Sequence, residues 1–182
     1  REALKAHGLR MSIEISSCGD VPGNTGLGSS GSYLVALLNA IRHYKKKQCS
    51  PRELAEEACD IEINRLGYPV GKQDQYISAF GGLRVLDISP TGKVNVKRVD
   101  LEYGSLLELL NNLHVYFLKK KRNASNILAK LDSPDQGNDD RMLKVKELGY
   151  KTLDILENKN FDDYGLMLDD YWKLKKEFSS DL

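Results

Sequence analysis

The stretch Pro22–Asn39 reads PGNTGLGSSGSYLVALLN, and its two halves have opposite characters. Pro22 to Gly28 sets Gly23, Gly26 and Gly28 with a proline, Asn24 and Thr25 around one apolar residue, Leu27. Tyr33 to Leu38 is an unbroken apolar run that Ala40, Ile41 and Tyr44 extend. A segment apolar all round predicts a buried helix. The glycine half predicts a loop feeding it. Glycine lets backbone N–H groups turn toward a ligand and lets that ligand come close. The first helical turn adds unpaired N–H groups and the positive end of the dipole, so the junction suits a phosphate. The alternative is a turn and a buried helix without a ligand.

Other phosphate motifs fit less well. Gly26, Gly28 and Gly31 spell G-x-G-x-x-G. A dinucleotide site needs that pattern directly after a strand, with an acidic residue about 20 residues further on. The nearest strand candidate, Met11–Ser16, ends about ten residues early, and the region around Ser50 opens a helix. Gly23 to Gly28 spaces like the start of a P-loop, but Ser29 stands where its lysine belongs. Protein-kinase signatures are absent.

Pro22 to Gly31 instead resembles the second motif of the GHMP kinases, the superfamily of galactokinase, homoserine kinase, mevalonate kinase and phosphomevalonate kinase. That motif is P-x-x-x-G-L-G-S-S-A/G, and the match has no gap. A second stretch, Gly67–Gly82 (GYPVGKQDQYISAFGG), resembles the segment that carries the catalytic aspartate of the family. Its wording, GKQDQ followed by AFGG, is most similar to the branch that phosphorylates D-glycero-D-manno-heptose 7-phosphate. The resemblance implies an α+β, two-domain GHMP-kinase fold. Residues 1–100 would be an N-terminal domain like domain 2 of ribosomal protein S5, and residues 101–182 the start of a ferredoxin-like C-terminal domain. The N-terminal strand-and-glycine segment and the C-terminal glycine-rich loop of the family do not occur. The chain therefore reads as an internal piece, incomplete at both ends and expected to be inactive alone.

Composition is compatible with this reading. The chain has 182 residues, 41% of them hydrophobic, enough for one large or two small domains. Lys+Arg 27 against Asp+Glu 26 leaves a net charge of +1, so no global field favours nucleic acid or membrane. Cys18, Cys49 and Cys59 form no CxxC pair and read as reduced thiols of a cytoplasmic protein. No apolar run reaches the ~18 residues of a membrane span. His7, His43 and His114 show no metal spacing.

Further along, Ser50-Pro51-Arg52-Glu53 is a capping box with proline at the first helical position. It opens a helix that Gly67 and Pro69 end near Leu66. At about 100° per residue, Ile61, Leu54, Ala58, Ala55, Leu66 and Cys59 share one apolar face, with Glu62 in its middle. A carboxylate there needs a cationic or hydrogen-bonding partner, or a metal. Leu83–Ser89 and Val94–Leu101 predict a hairpin across Pro90-Thr91-Gly92. A helix at Ser105–Asn112, a strand at His114–Leu118, a helix around Ile127–Leu131 and a polar loop at Asp132–Asp140 follow. Helices at Arg141–Asn158 and Phe161–Phe178 close the chain.

The resemblance implies a role for each motif residue. ATP phosphates would lie on the Pro22, Gly23, Gly26, Leu27, Gly28, Ser29 and Ser30 loop. Ser30 and Glu62 would hold Mg2+. Asp74 would orient the sugar hydroxyl and take its proton. Lys72, two residues away, is positioned to lower the pKa of Asp74 or to steady the transferring phosphoryl. Arg122, in the basic run Lys119–Arg122, would meet the phosphate the sugar already carries, although a solvated turn is the other reading. The implied reaction is attack by the anomeric hydroxyl of the heptose 7-phosphate, giving a 1,7-bisphosphate. A kinase for another sugar such as fucose, or a non-catalytic nucleotide- or sugar-phosphate-binding module, are the alternatives. The partners are then ATP and a sugar phosphate, with a homodimer as the candidate assembly.

Overall fold

The computed structural model describes residues 1–9, 13–20, 23, 25–117 and 138–178. Pro22, Asn24, Arg122 and the helix expected at 127–131 lie outside the described residues. The rest forms two compact units, the first made by Arg1–Gly82 and the second beginning at Leu83.

The first unit is helical. Its elements are α1 (Glu2–Ala6), α2 (Ser29–Tyr44), α3 (Pro51–Cys59), a π-helical turn (Asp60–Arg65) and α4 (Gln73–Phe80). α3 starts at the expected capping box: Ser50 Oγ accepts from the Glu53 N–H, and the Glu53 carboxylate accepts from the Ser50 N–H at 2.7 Å. Its helix then changes pitch. The Leu66 N–H donates to the Ile61 carbonyl five residues back, the bond of a π turn. Asp60 accepts from Arg65 Nε at 2.8 Å, a pairing five residues apart that suits the wider turn. Ile61 and Glu62, adjacent in sequence, both end up buried.

α2 buries Gly31, Leu34, Val35, Leu38 and Ile41, which fall on one face. Leu34, Val35, Leu38 and Ile41 pack with Ala3, Leu54, Ala58 and Ile61 into the core of this unit. Each fully buried Leu or Ile contributes about 1.5–3 kcal/mol. The opposite face of α2 is open, with Tyr33 at 48% and Tyr44 at 73% exposure, so the helix is buried on one side and not all round. Arg42 of α2 makes two bonds to Glu57 of α3, and His7, just after α1, lies 2.8 Å from the same carboxylate.

In the second unit, β1 (Arg84–Ile88) and β2 (Val94–Arg98) form the expected antiparallel hairpin, with Leu86 opposite Val96. α5 (Tyr103–Asn111), α6 (Asn138–Glu157) and α7 (Phe161–Phe178) follow. Val99, Leu109 and Leu156 form the core of this unit, with Val85, Leu153 and Phe161 packed against them. This packing places the hairpin in the second unit, which begins at Leu83.

Over their described residues, the strands expected at Met11–Ser16 and His114–Leu118 do not form. Ile13–Ser16 is irregular, as is His114–Phe117, and Val115 is 83% exposed. Alternating sequence makes a strand only where a neighbour supplies the ladder. Among the described residues the one sheet is β1–β2. α6 begins at Asn138, inside the segment read as a polar loop. No helix among the described residues is long and apolar enough to cross a membrane.

Candidate active site

The glycine loop meets α2 through backbone that only glycine adopts easily. Gly26 has φ +81° and Gly28 has φ +66°, both left-handed. Gly28 is the N-cap of α2; no side chain caps this end, and the first turn holds no acidic residue. Its first N–H groups have no intrahelical partner.

Under this junction lies α4. A Cβ added at Gly28 would stand 2.9 Å from Asp74 Cγ, and one added at Gly31 would stand 3.0 Å from Asp74 Cβ and 3.3 Å from the Gln75 backbone N. The absence of side chains at these positions is what lets Asp74 and the start of α4 reach the loop. Ser32 Oγ and Ser78 Oγ, 3.0 Å apart, tie the same two helices.

Glu62 enters from the π turn. It is 3% exposed, and both its oxygens accept hydrogen bonds. Ser30 Oγ donates to Oε1, and Gln75 Nε2 donates to Oε2 at 2.5 Å. Both donors are neutral. Among the described residues no Lys, Arg or His forms a salt bridge with Glu62, which answers the question its sequence position raised. Burial and the Glu62 charge together hold the Asp74 pKa above the usual carboxylate range. The direction is opposite to the lowering expected from Lys72, which is not among the causes of the Asp74 shift. Lys72 is the half-buried N-cap residue of α4, and its carbonyl accepts from the Tyr76 N–H at 3.2 Å.

The structure thus brings Gly28, Ser30, Glu62 and Asp74 of the expected set together. Ser29 is the first residue of α2. Gly23, Gly26 and Leu27 lie on the exposed part of the loop, and Leu27 is 57% exposed. Pro22 and Arg122 are outside the described residues. The sequence reading gives Gly31 a place in the glycine pattern and the motif but no role in the site, and it gives Gln75 none. Gly31 stands inside the motif, so its spacing from Gly28 was a usable signal. Nothing in the local sequence marks Gln75, because its burial depends on the π turn.

Residues 1–82 match the family model described as the GHMP kinases N terminal domain. Over 171 residues the chain is 27% identical to D-glycero-alpha-D-manno-heptose 7-phosphate kinase of Campylobacter jejuni, covering 93% of this chain and 50% of that protein. Over 88 residues it is 32% identical to mevalonate kinase of Methanothermobacter thermautotrophicus, covering 48% of this chain and 27% of that protein. Among solved structures, a D-glycero-D-manno-heptose 1-phosphate kinase from Bacteroides thetaiotaomicron superposes with TM-score 0.72 at 23% identity, over 97% of this chain and 52% of that one. That likeness establishes the α+β fold of GHMP sugar kinases. The chain spans about half the length of the heptose 7-phosphate kinase it matches.

Proposed function

We propose that this chain carries the phosphate loop and the catalytic carboxylate of an ATP-dependent sugar-phosphate kinase, with D-glycero-D-manno-heptose 7-phosphate as substrate and the 1,7-bisphosphate as product. The observation that carries this reading is the contact of Gly28 and Gly31 with Asp74, beside the Ser30–Glu62 bond. It sets an anion-binding helix start, a buried carboxylate and a second carboxylate within one cluster. The 27% identity to a heptose 7-phosphate kinase supports the choice of sugar.

In this mechanism the amides of Gly26–Ser30 hold the ATP phosphates, and Pro22, Gly23 and Leu27 shape the loop around them. Asp74 orients the anomeric hydroxyl. As that oxygen bonds the γ-phosphorus, the bond to the leaving ADP oxygen breaks and Asp74 takes the hydroxyl proton. A carboxylate with a raised pKa is the stronger base for that step once ionised. Lys72 steadies the transferring phosphoryl, and Arg122 receives the phosphate already on the sugar.

A divalent cation fits the residues present. Glu62 is a buried carboxylate with only neutral donors, and the Asp74 charge lies close enough to feel it. Such a pair is costly without a compensating positive charge. No group of three His, Cys, Asp or Glu side chains among the described residues could hold a metal unaided. Mg2+ commonly binds one or two carboxylates and completes its shell with substrate phosphates and water. Ser30 and Glu62 would hold it here. When bound it neutralises charge on the phosphates.

The test is turnover by the full-length protein with MgATP, followed by 31P NMR. Appearance of an anomeric phosphate on the heptose 7-phosphate supports the reading. Turnover of fucose alone would move the substrate within the sugar kinases. Binding of ATP without turnover of any sugar would leave a non-catalytic module.

A further inference from the structure

Gln75 has no role in the scheme above, yet it is 2% exposed and among the largest fully buried side chains of the first unit. A buried amide needs partners for two donors and an acceptor. Here Nε2 donates to Glu62 Oε2, and among the described residues Oε1 has no hydrogen-bond partner. An unpaired buried acceptor costs about 1–3 kcal/mol, and an apolar side chain of similar length would avoid that cost. The residue is therefore poorly explained as packing.

We propose that Gln75 is a positioning residue for the cation site: it fixes the Glu62 carboxylate through Oε2, and its Oε1 accepts a hydrogen bond from water on the bound cation. Three observations converge on this. Ser30 and Gln75 grip opposite oxygens of Glu62, which sets the carboxylate plane. The Gln75 backbone lies close against α2, its N 3.3 Å from where a Gly31 Cβ would be. The open acceptor belongs to the same amide that holds Glu62, and Mg2+ retains several waters when bound. Outer-shell groups of this kind orient metal ligands, and their loss costs about 10–100-fold in metal affinity or activity.

The inference rests on Glu62 being a cation ligand, so the experiment carries both variants. Mn2+ affinity is measured by electron paramagnetic resonance on the full-length protein with a non-hydrolysable ATP analogue. Gln75→Met keeps length and removes both polar ends. It is expected to weaken Mn2+ binding at least about tenfold. The analogue's metal-free affinity should be unchanged. With Mg2+ the same variant should need more metal for half-maximal rate yet recover most of kcat at saturation. If it does not fold, Gln75→Asn, which is one methylene too short to reach Glu62, carries the same expectation. Unchanged Mn2+ affinity in a folded Gln75 variant, while Glu62→Gln loses it, would overturn the positioning role alone. Unchanged affinity in Glu62→Gln would overturn the cation site, and the Gln75 role with it.

Discussion

Asp74 packs face to face with Gly28: the space a Gly28 Cβ would fill is 2.9 Å from Asp74 Cγ and 3.0 Å from Oδ2. The proposed phosphate loop and the carboxylate proposed to act on the reacting hydroxyl are thus adjoining parts of one contact. That adjacency separates the effects of two glycine substitutions.

Gly28→Ala puts a methyl against the end of the Asp74 side chain, which can rotate away. The left-handed backbone costs a non-glycine residue about 1–2 kcal/mol. Stability should fall by about that amount in urea denaturation, while kcat falls out of proportion because Asp74 has moved. The bulkier Gly28→Val should also weaken nucleotide binding at least about tenfold, or about 1.4 kcal/mol. Unchanged nucleotide affinity in folded Gly28→Val would remove the loop from the site.

Gly31→Ala meets Asp74 Cβ and the backbone N of Gln75, which cannot rotate aside. α2 and α4 must part instead. Overpacking of this kind costs about 1–3 kcal/mol. The melting temperature should drop, and protection of α4 amides from hydrogen exchange should drop with it. Exchange confined to α1 would point to a different weak point.

The network on Glu57 makes a stability prediction remote from the cluster. Arg42 donates to Glu57 through Nε at 3.0 Å and Nη2 at 2.6 Å, and this bonding raises the Arg42 pKa. Lys45 Nζ also donates to the His7 carbonyl at 2.6 Å, so α1 is fastened twice. Arg42→Met should cost about 1–3 kcal/mol by leaving a half-buried carboxylate underpaired. Specific activity per folded molecule should not change. A double-mutant cycle with Glu57→Gln should show coupling above about 0.5 kcal/mol. Additive losses would mean the pair is not coupled.

How far the sequence reached follows from what each element depends on. The capping box at Ser50–Glu53, the turn at Pro90–Gly92 and the Phe161–Phe178 helix are local, and they form as read. The glycine loop was legible because left-handed backbone at Gly26 and Gly28 leaves a compositional mark. The burial of Glu62 was readable from periodicity. Its two partners were not, because Ser30 and Gln75 arrive from separate helices and the π turn sets their meeting point. Ile13–Ser16 and His114–Phe117 went astray for the same reason in reverse, since a strand requires a partner that local pattern does not supply.

The raised pKa of Asp74 gives a pH signature. Partial desolvation of a side chain that is exposed over much of its surface comes first, and the Glu62 charge second; both favour its protonated form in the folded state. The native state then holds the proton more tightly than the unfolded chain. The stability associated with that proton is present below the unfolded pKa, about 3.9, and is lost as pH rises through the higher folded value. At pH 7 the ionised Asp74 is therefore a liability, and Asp74→Asn should melt at a higher temperature than wild type. The difference should shrink as pH falls through the raised folded value and be gone below about 4. A lower melting temperature at pH 7 would show that the ionised carboxylate is stabilised, as pairing with Lys72 would do.

The most direct test of the central claim is kcat of Asp74→Asn in the full-length protein, with MgATP and heptose 7-phosphate at saturation. The substitution keeps the shape of the side chain and removes its basicity. Loss of a general base reduces rate by about 10²-fold or more. ATP and sugar affinities should change little, because the lost interaction belongs to the transition state. Turnover near the wild-type rate would contradict the assignment of Asp74 as the base, and with it the mechanism built on its contact with Gly28.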